Sequence, residues 1–221
     1  MTRIGVITGM TREADCLDGF PIVRVAGASS ERAYDLATAL IADGCEALLS
    51  FGTAGGLVDG LEPGDLVLAD KVFDADGRVF ETDAAWRERL LAELDDDGVV
   101  RSMTGSATVV ATPDKKRALG LATSAAAVDM ESHAIGCAAV EAGVAFLVVR
   151  VVADPVHRGI PEWVFGSIRE DGRTNYVAVL SGLAKHPWDL PALIGLAGNN
   201  AKAMATLGRV AGLAGPLFRF Q

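Results

Sequence analysis

Hydrophobic runs and polar breaks alternate along this chain with the rhythm of strand and helix. Arg3–Thr8 is a short apolar run ended by Gly9 and reads as a first strand, with Pro21–Val25 as a second. Ser29 or Ser30 then offers an N-cap to a helix over Glu31–Ala42, which Gly44 stops. Ala47–Phe51 reads as a buried strand opening into a glycine-rich turn, and Asp65–Ala69 starts another strand. Thr82–Glu93 reads as helix, Asp95-Asp96-Asp97-Gly98 as a turn, and Arg101–Ala111 as an imperfectly alternating strand. Thr112-Pro113 opens a helix with proline at its first position. Ala126–Asp129 reads as a short strand feeding a helix over Met130–Ala142. Phe146–Val152 is a continuous β-branched run whose apolar character stops at Asp154.

Beyond Asp154 the pattern is helical only. A segment around Arg173–Leu183 precedes a break at His186-Pro187, and a helix then runs from Leu190 to about Leu213. Asp189 can cap that helix, and Pro191 suits its first turn. The alternation of strand and helix predicts a single α/β domain with a largely parallel, twisted sheet and helices around it. Residues 1–183 would form that α/β domain, and 184–221 a helical C-terminal extension packed on it.

Composition narrows the picture. The 221 residues suit one large domain with a single core, and 50% hydrophobic with only 6% aromatic residues makes that core aliphatic. A formal net charge of −9 argues against a nucleic-acid partner, which would need Lys and Arg to displace phosphate counterions. Cys16, Cys45 and Cys137 have no metal-type spacing and read as small buried hydrophobes in a reducing compartment. Met1-Thr2-Arg3 leads straight into the first apolar run without a secretory pattern. No stretch approaches the roughly twenty apolar residues that span a bilayer. A cytoplasmic, soluble protein is expected. His133, His157 and His186 are scattered, so neither a metal nor an organic cofactor is expected.

The candidate chemistry sits where strands end. Val128-Asp129-Met130-Glu131-Ser132 and Arg150-Val151-Val152-Ala153-Asp154 each place a carboxylate at the carboxyl end of a strand, where α/β folds put their sites. Asp154 follows an apolar strand, so desolvation would raise its pKa and suit it to donate a proton near neutrality. Gly52-Thr53-Ala54-Gly55-Gly56 lacks the Gly-Lys-Ser/Thr ending of a P-loop, and a glycine cluster after a strand is more often a tight turn. Thr53 makes it suggestive, because a hydroxyl among backbone N–H groups can hold a water or an oxyanion. Glu13 alone would read as a solvent-facing acid at a helix start. Together these residues fit cleavage of an N-glycosidic bond. That reaction needs an acid for the leaving base, a carboxylate for the nucleophile and a grip on ribose hydroxyls.

Across roughly residues 3–183 the chain resembles the purine nucleoside phosphorylase and methylthioadenosine/S-adenosylhomocysteine nucleosidase superfamily. The resemblance is carried by Ile4–Glu13, Gly52–Leu57 with Gly64-Asp65, Val128–Ser132 and Arg150–Asp154. It implies that Asp154 protonates or hydrogen-bonds N7 of the departing purine and that Glu13 activates water. Glu131 would bind ribose hydroxyls with Met130 packed on the sugar, Gly52, Thr53 and Asp129 would belong to the substrate site, and the backbone around Thr108–Val109 would hold the base. It further implies a three-layer fold with a mixed sheet, a small-molecule nucleoside partner and a homodimer.

Several departures from the family pattern matter. Phosphorylases of this superfamily carry a phosphate-clamping Arg just before the glycine-rich turn, where this chain has Leu49-Ser50-Phe51; water is therefore the expected nucleophile. Thr108 stands where adenine-specific nucleosidases place a stacking Phe, and Ala153 where a Ser often supports the catalytic Asp. The chain also extends past Leu183. That extension, with Asp171-Gly172-Arg173-Thr174 and His186-Pro187-Trp188-Asp189-Leu190-Pro191, resembles the hopanoid-associated branch, which removes adenine from adenosylhopane. A lipid-linked substrate would need an apolar channel, since each buried methylene contributes about 0.8 kcal/mol. Trp163, Val164, Phe165 and Ile168 with the C-terminal helix are candidates to line it; completing the core or a dimer contact is the alternative. A peripheral membrane contact belongs to the same reading. Its competitors are a methylthioadenosine/S-adenosylhomocysteine nucleosidase, a phosphate-using purine nucleoside phosphorylase and a catalytically silent nucleoside-binding module.

Overall fold

The computed structural model describes residues 3–94, 98–167, 169, 171–215 and 218–220. Its strands are β1 (Ile4–Thr8), β2 (Val23–Val25), β3 (Ala47–Gly56), β4 (Leu66–Phe73), β5 (Val79–Glu81), β6 (Val99–Gly105), β7 (Ala127–Asp129) and β8 (Ala145–Asp154). Its α-helices are α1 (Thr11–Ala14), α2 (Ser30–Ala42), α3 (Ala84–Glu93), α4 (Pro113–Thr123), α5 (Ser132–Ala142), α6 (Tyr176–Lys185) and α7 (Leu190–Ala214). The helix starts follow side-chain chemistry. Ser29, Asp83, Thr112 and Asn175 each accept a backbone N–H from the first turn of α2, α3, α4 and α6, respectively.

The sheet is mixed and closes on itself. β3 pairs in parallel with β1 and β8, β8 pairs antiparallel with β4, β4 runs parallel to β6, β6 to β7, and β7 returns antiparallel to β3. β1 and β2 extend the sheet beyond β3, and β5 hangs on β4. The β-branched run in β8 is buried on both faces and separates two cores. Phe146, Val148 and Val152 pack with Leu40 of α2 and Ile135 of α5. Leu147, Val149 and Val151 pack with Leu90 of α3 and Leu207 of α7. One residue on the first of these faces breaks the apolar pattern: Arg150, completely buried.

Several expectations move. Ala47–Phe51 does not open into a turn, because β3 continues extended through Gly56. Arg101–Ala111 ends as a strand at Gly105, leaving 106–111 as a loop. The helix after β7 begins at Ser132, with Met130 and Glu131 before it. The turn expected at Asp95–Asp97 lies outside the described residues. α6 runs across the expected boundary between 183 and 184, and the second half of α7 buries Ala203, Leu207, Val210 and Ala214.

The α7 contact should be a principal source of stability. Leu207→Ala, at a fully buried position, is expected to lower the unfolding free energy by about 2–5 kcal/mol in urea titrations. A loss below about 1 kcal/mol would mean that α7 contributes little to the core.

Candidate active site

The carboxyl ends of β1, β3, β7 and β8 meet around a cavity of about 810 Å³. Glu13, Thr53, Thr108, Val109, Asp129, Met130, Glu131 and Asp154 all lie on its wall. The three carboxylates come from separate stretches of the chain, yet Glu13 and Glu131 are 2% and 4% exposed, and the Asp154 side chain only 16%.

Glu13 is placed by α1, a single turn directly after β1. Its Oε2 accepts hydrogen bonds from Gly9 N and Met10 N, each at 2.9 Å. Its Oε1 accepts from Thr53 N and Thr53 Oγ1, each at 2.8 Å. Thr53 therefore holds a carboxylate, not a free anion. Gly52 is off the cavity wall, and its role is steric: a Cβ there would lie 2.4 Å from Arg150 Nη1 and 2.7 Å from Glu13 Oε2. Only a residue without a side chain lets the carboxylate and the guanidinium approach the strand.

Arg150 anchors the other side. Its Nε lies 2.6 Å from Asp129 Oδ2, and its Nη2 donates to Ser50 Oγ at 2.7 Å, Ser132 Oγ at 3.2 Å and Glu131 Oε2 at 3.3 Å. Asp129 also accepts from Glu131 N, Ser132 N and Ser132 Oγ. Its side chain is essentially unexposed and fully engaged by Arg150, Ser132 and the backbone, although the residue stands on the cavity wall. Burial disfavours the charged guanidinium, but Asp129, Glu131 and Glu13 outweigh that and hold its pKa above the ordinary value. Burial pushes the Glu131 carboxyl up to about 8; Arg150 opposes the shift, while Asp129 and Glu13 add to it. One guanidinium cannot neutralise three buried carboxylates, so the cluster takes up a proton readily.

Asp154 closes β8. Burial raises its pKa, and the nearby ammonium of Lys116, 2.5 Å from Oδ2, opposes the rise. Lys116, Arg150, Ser50 and Ser132 were not singled out as site residues by sequence. Lys116 sits in Asp114-Lys115-Lys116-Arg117, which looks like a solvated helix face; the detectable signal is Gly120, one turn on and also buried.

The apolar wall differs in part from expectation. Val164, Val179, Leu183, Leu190, Leu193 and Ile194 line it, with Leu196 and Ala197. Trp163 does not: its Nε1 donates to Asp189 Oδ2 at 2.8 Å, and its ring stacks on His186. The indole N–H finds its partner there, and Asp189 in turn makes no cap bond to α7. Ile168 lies outside the described residues, and Phe165 is described only through its backbone. Among the described residues no group of three or more His, Cys, Asp and Glu side chains is placed to hold a metal ion. No described helix is long and apolar enough to cross a membrane.

A mixed sheet with buried carboxylates gathered at its strand ends defines a class of small-molecule-binding α/β protein. The chain belongs to the phosphorylase superfamily, whose family model matches residues 22–185. No curated protein matches the sequence. Similar solved structures include futalosine hydrolase of Helicobacter pylori, at 17% identity and TM-score 0.72, covering 96% of each chain. S-adenosylhomocysteine nucleosidase from Streptococcus pyogenes, solved with 5-methylthiotubericidin, is 20% identical at TM-score 0.72, covering 100% of this chain and 98% of its own. The 5′-methylthioadenosine/S-adenosylhomocysteine nucleosidase of Neisseria meningitidis, with methylthio-immucillin-A, is 15% identical at TM-score 0.71, covering 97% and 99%. At these identities the likeness is one of fold.

The packing around Gly52 predicts that Gly52→Ala forces Arg150 and Glu13 apart. Chemical unfolding should report a loss of about 1–3 kcal/mol, as for overpacked cores. A change within about 0.5 kcal/mol would mean the charge cluster adjusts freely.

Proposed function

We propose that this protein is an N-glycosyl hydrolase that cleaves a 5′-substituted adenosine, with adenosylhopane as the substrate and adenine and ribosylhopane as products. The observation that carries the choice of water is the occupancy of Glu13. Its carboxylate takes the amides of Gly9, Met10 and Thr53 and the Thr53 hydroxyl. An incoming phosphate would meet a buried negative charge where a phosphorylase needs donors, whereas a water can donate its proton to that same carboxylate.

In this reading the purine lies between Asp154 and the Thr108–Val109 backbone, and the ribose rests on Met130 with its hydroxyls on Glu131. The Asp154 O–H bond breaks as N7–H forms, the C1′–N9 electron pair leaves with the base, and water adds to C1′ as its proton passes to Glu13. The 5′ group lies along Val164, Leu183, Leu190 and Leu193, where apolar burial supplies binding energy remote from the reacting bond. Leu190 and Ile194 of that wall are also exposed, and Tyr176, Val177, Leu180 and Trp188 are exposed on α6 and on the turn that leads into α7. The reading assigns this face to the membrane that holds a lipid-linked substrate.

Purified protein given adenosylhopane in detergent should release adenine at the same rate with and without phosphate. Strict dependence on phosphate would identify a phosphorylase, and faster turnover of methylthioadenosine a nucleosidase for small 5′ groups. Asp154→Asn and Glu13→Gln should each lower kcat by about 10²–10⁴-fold, the usual size of a proton-transfer contribution. Because the acid must carry its proton, kcat should fall as pH rises through the raised Asp154 pKa, placing the alkaline limb above the ordinary carboxylate range. A pH-independent rate would remove Asp154 as the acid, and no turnover of any nucleoside would favour the silent binding module.

The membrane assignment predicts co-flotation with zwitterionic phosphatidylcholine vesicles. A homodimer in solution that stays off the vesicles would assign the face to a second subunit instead.

A further inference from the structure

Lys116 is a buried charge that the proposed reaction leaves unused. It stands on the first turns of α4, between exposed Asp114, Lys115 and Arg117, yet its side chain has no exposure. Its ammonium reaches beneath the end of β8. Nζ donates to the carbonyls of Pro155 at 3.0 Å and Arg158 at 2.9 Å, approaches that of Asp154 at 3.3 Å, and lies 2.5 Å from Asp154 Oδ2. A buried ammonium is costly unless paired, and this one is surrounded by four oxygens of the segment that carries the acid. No hydrogen bond among the described residues engages Oδ1, the other oxygen of a carboxyl that lies on the cavity wall. Gly55 of β3 packs against both oxygens, at 3.1 and 3.4 Å from where its Cβ would be.

We infer that Lys116 is a positioning residue for base departure: it fixes Asp154 through Oδ2, presents Oδ1 to the leaving base, and stabilises the carboxylate left when the proton has moved. The inference rests on the reading of Asp154 as the acid. It also accounts for Ala153, which has no side-chain hydroxyl to steady its neighbour. Before transfer the carboxyl carries its proton on Oδ1; afterwards N7 holds that proton and the carboxylate remains paired with the ammonium. Gly55 of β3, which packs against the same carboxyl, is uncharged, and Lys116 of α4 is the charged group that acts on Asp154.

The test uses the full-length protein with Lys116→Gln, which keeps N–H donors without charge, and Lys116→Ala with and without added ethylamine. Adenine release is followed from acid to alkaline pH. Removing the positive charge should raise the pKa of Asp154, so the alkaline limb of kcat moves to higher pH by about one unit or more. The plateau kcat should fall about tenfold or more while KM stays within about threefold, and ethylamine should restore part of the Ala variant's rate and limb. A lower melting temperature with unchanged kcat and an unmoved limb would overturn the inference, leaving Lys116 a tether for 155–158. Should neither variant fold, the wild-type protein decides. The Lys116 ¹⁵Nζ chemical shift is expected to respond to the protonation of Asp154 followed at ¹³Cγ, and a Nζ shift that ignores it would overturn the inference. Asp154→Asn is run alongside: wild-type turnover in that variant would defeat the parent reading of the acid, whereas its inactivity with an unaltered Lys116→Gln profile would defeat this inference alone.

Discussion

A guanidinium sealed beneath the cavity floor allows three carboxylates to share one small volume. Arg150 interrupts an otherwise apolar strand and is completely buried, bonded to Asp129, Ser50, Ser132 and Glu131 and close to Glu13 through the gap left by Gly52. Without it, Asp129, Glu131 and Glu13 would be like charges in a low-dielectric pocket, and such a cluster would protonate or come apart. The segments that meet there are distant in sequence: the turn after β1, the middle of β3, the β7–α5 junction and β8. One charged side chain thereby couples the register of the central strands to the shape of the site.

The sheet explains why that coupling can be rigid. β3 is paired with β1, β7 and β8, and closure through β4 and β6 locks β7 against it. Glu13, Thr53, Glu131 and Asp154 all project from or just beyond these paired ends. Positioning then depends on hydrogen-bonded backbone, which suits a reaction that needs an acid and a nucleophile held apart across a sugar. The apolar wall is built differently. Its residues come from α6, the start of α7 and the connecting turns, elements that meet solvent with several large side chains. The cavity therefore has a rigid polar end and an apolar wall made of surface helices.

Much of this was legible in the residues because the local chemistry agreed with the final structure. Ser29 and Thr112 cap helices, Pro113 opens one, and the runs at Ile4–Thr8 and Ala145–Asp154 are strands buried on both faces. What was not legible depends on tertiary contacts. The stretch through Gly56 looks like a turn because glycine is the usual turn residue; here Gly52 and Gly55 are extended, and their missing side chains make room for Arg150, Glu13 and Asp154. Lys116 was hidden because a lysine in a charged run reads as solvated, and only the fold brings the 154–158 segment over it. Trp163 looked like a channel lining on hydrophobicity alone, but its N–H directed it to Asp189.

A crystal structure with adenine and a non-cleavable ribose mimic bound tests the central claim most directly. The account predicts N7 within hydrogen-bond distance of Asp154, the sugar hydroxyls on Glu131, and an ordered water between Glu13 and the anomeric carbon. A base seated away from Asp154, or a sugar whose anomeric carbon faces neither carboxylate, would contradict it.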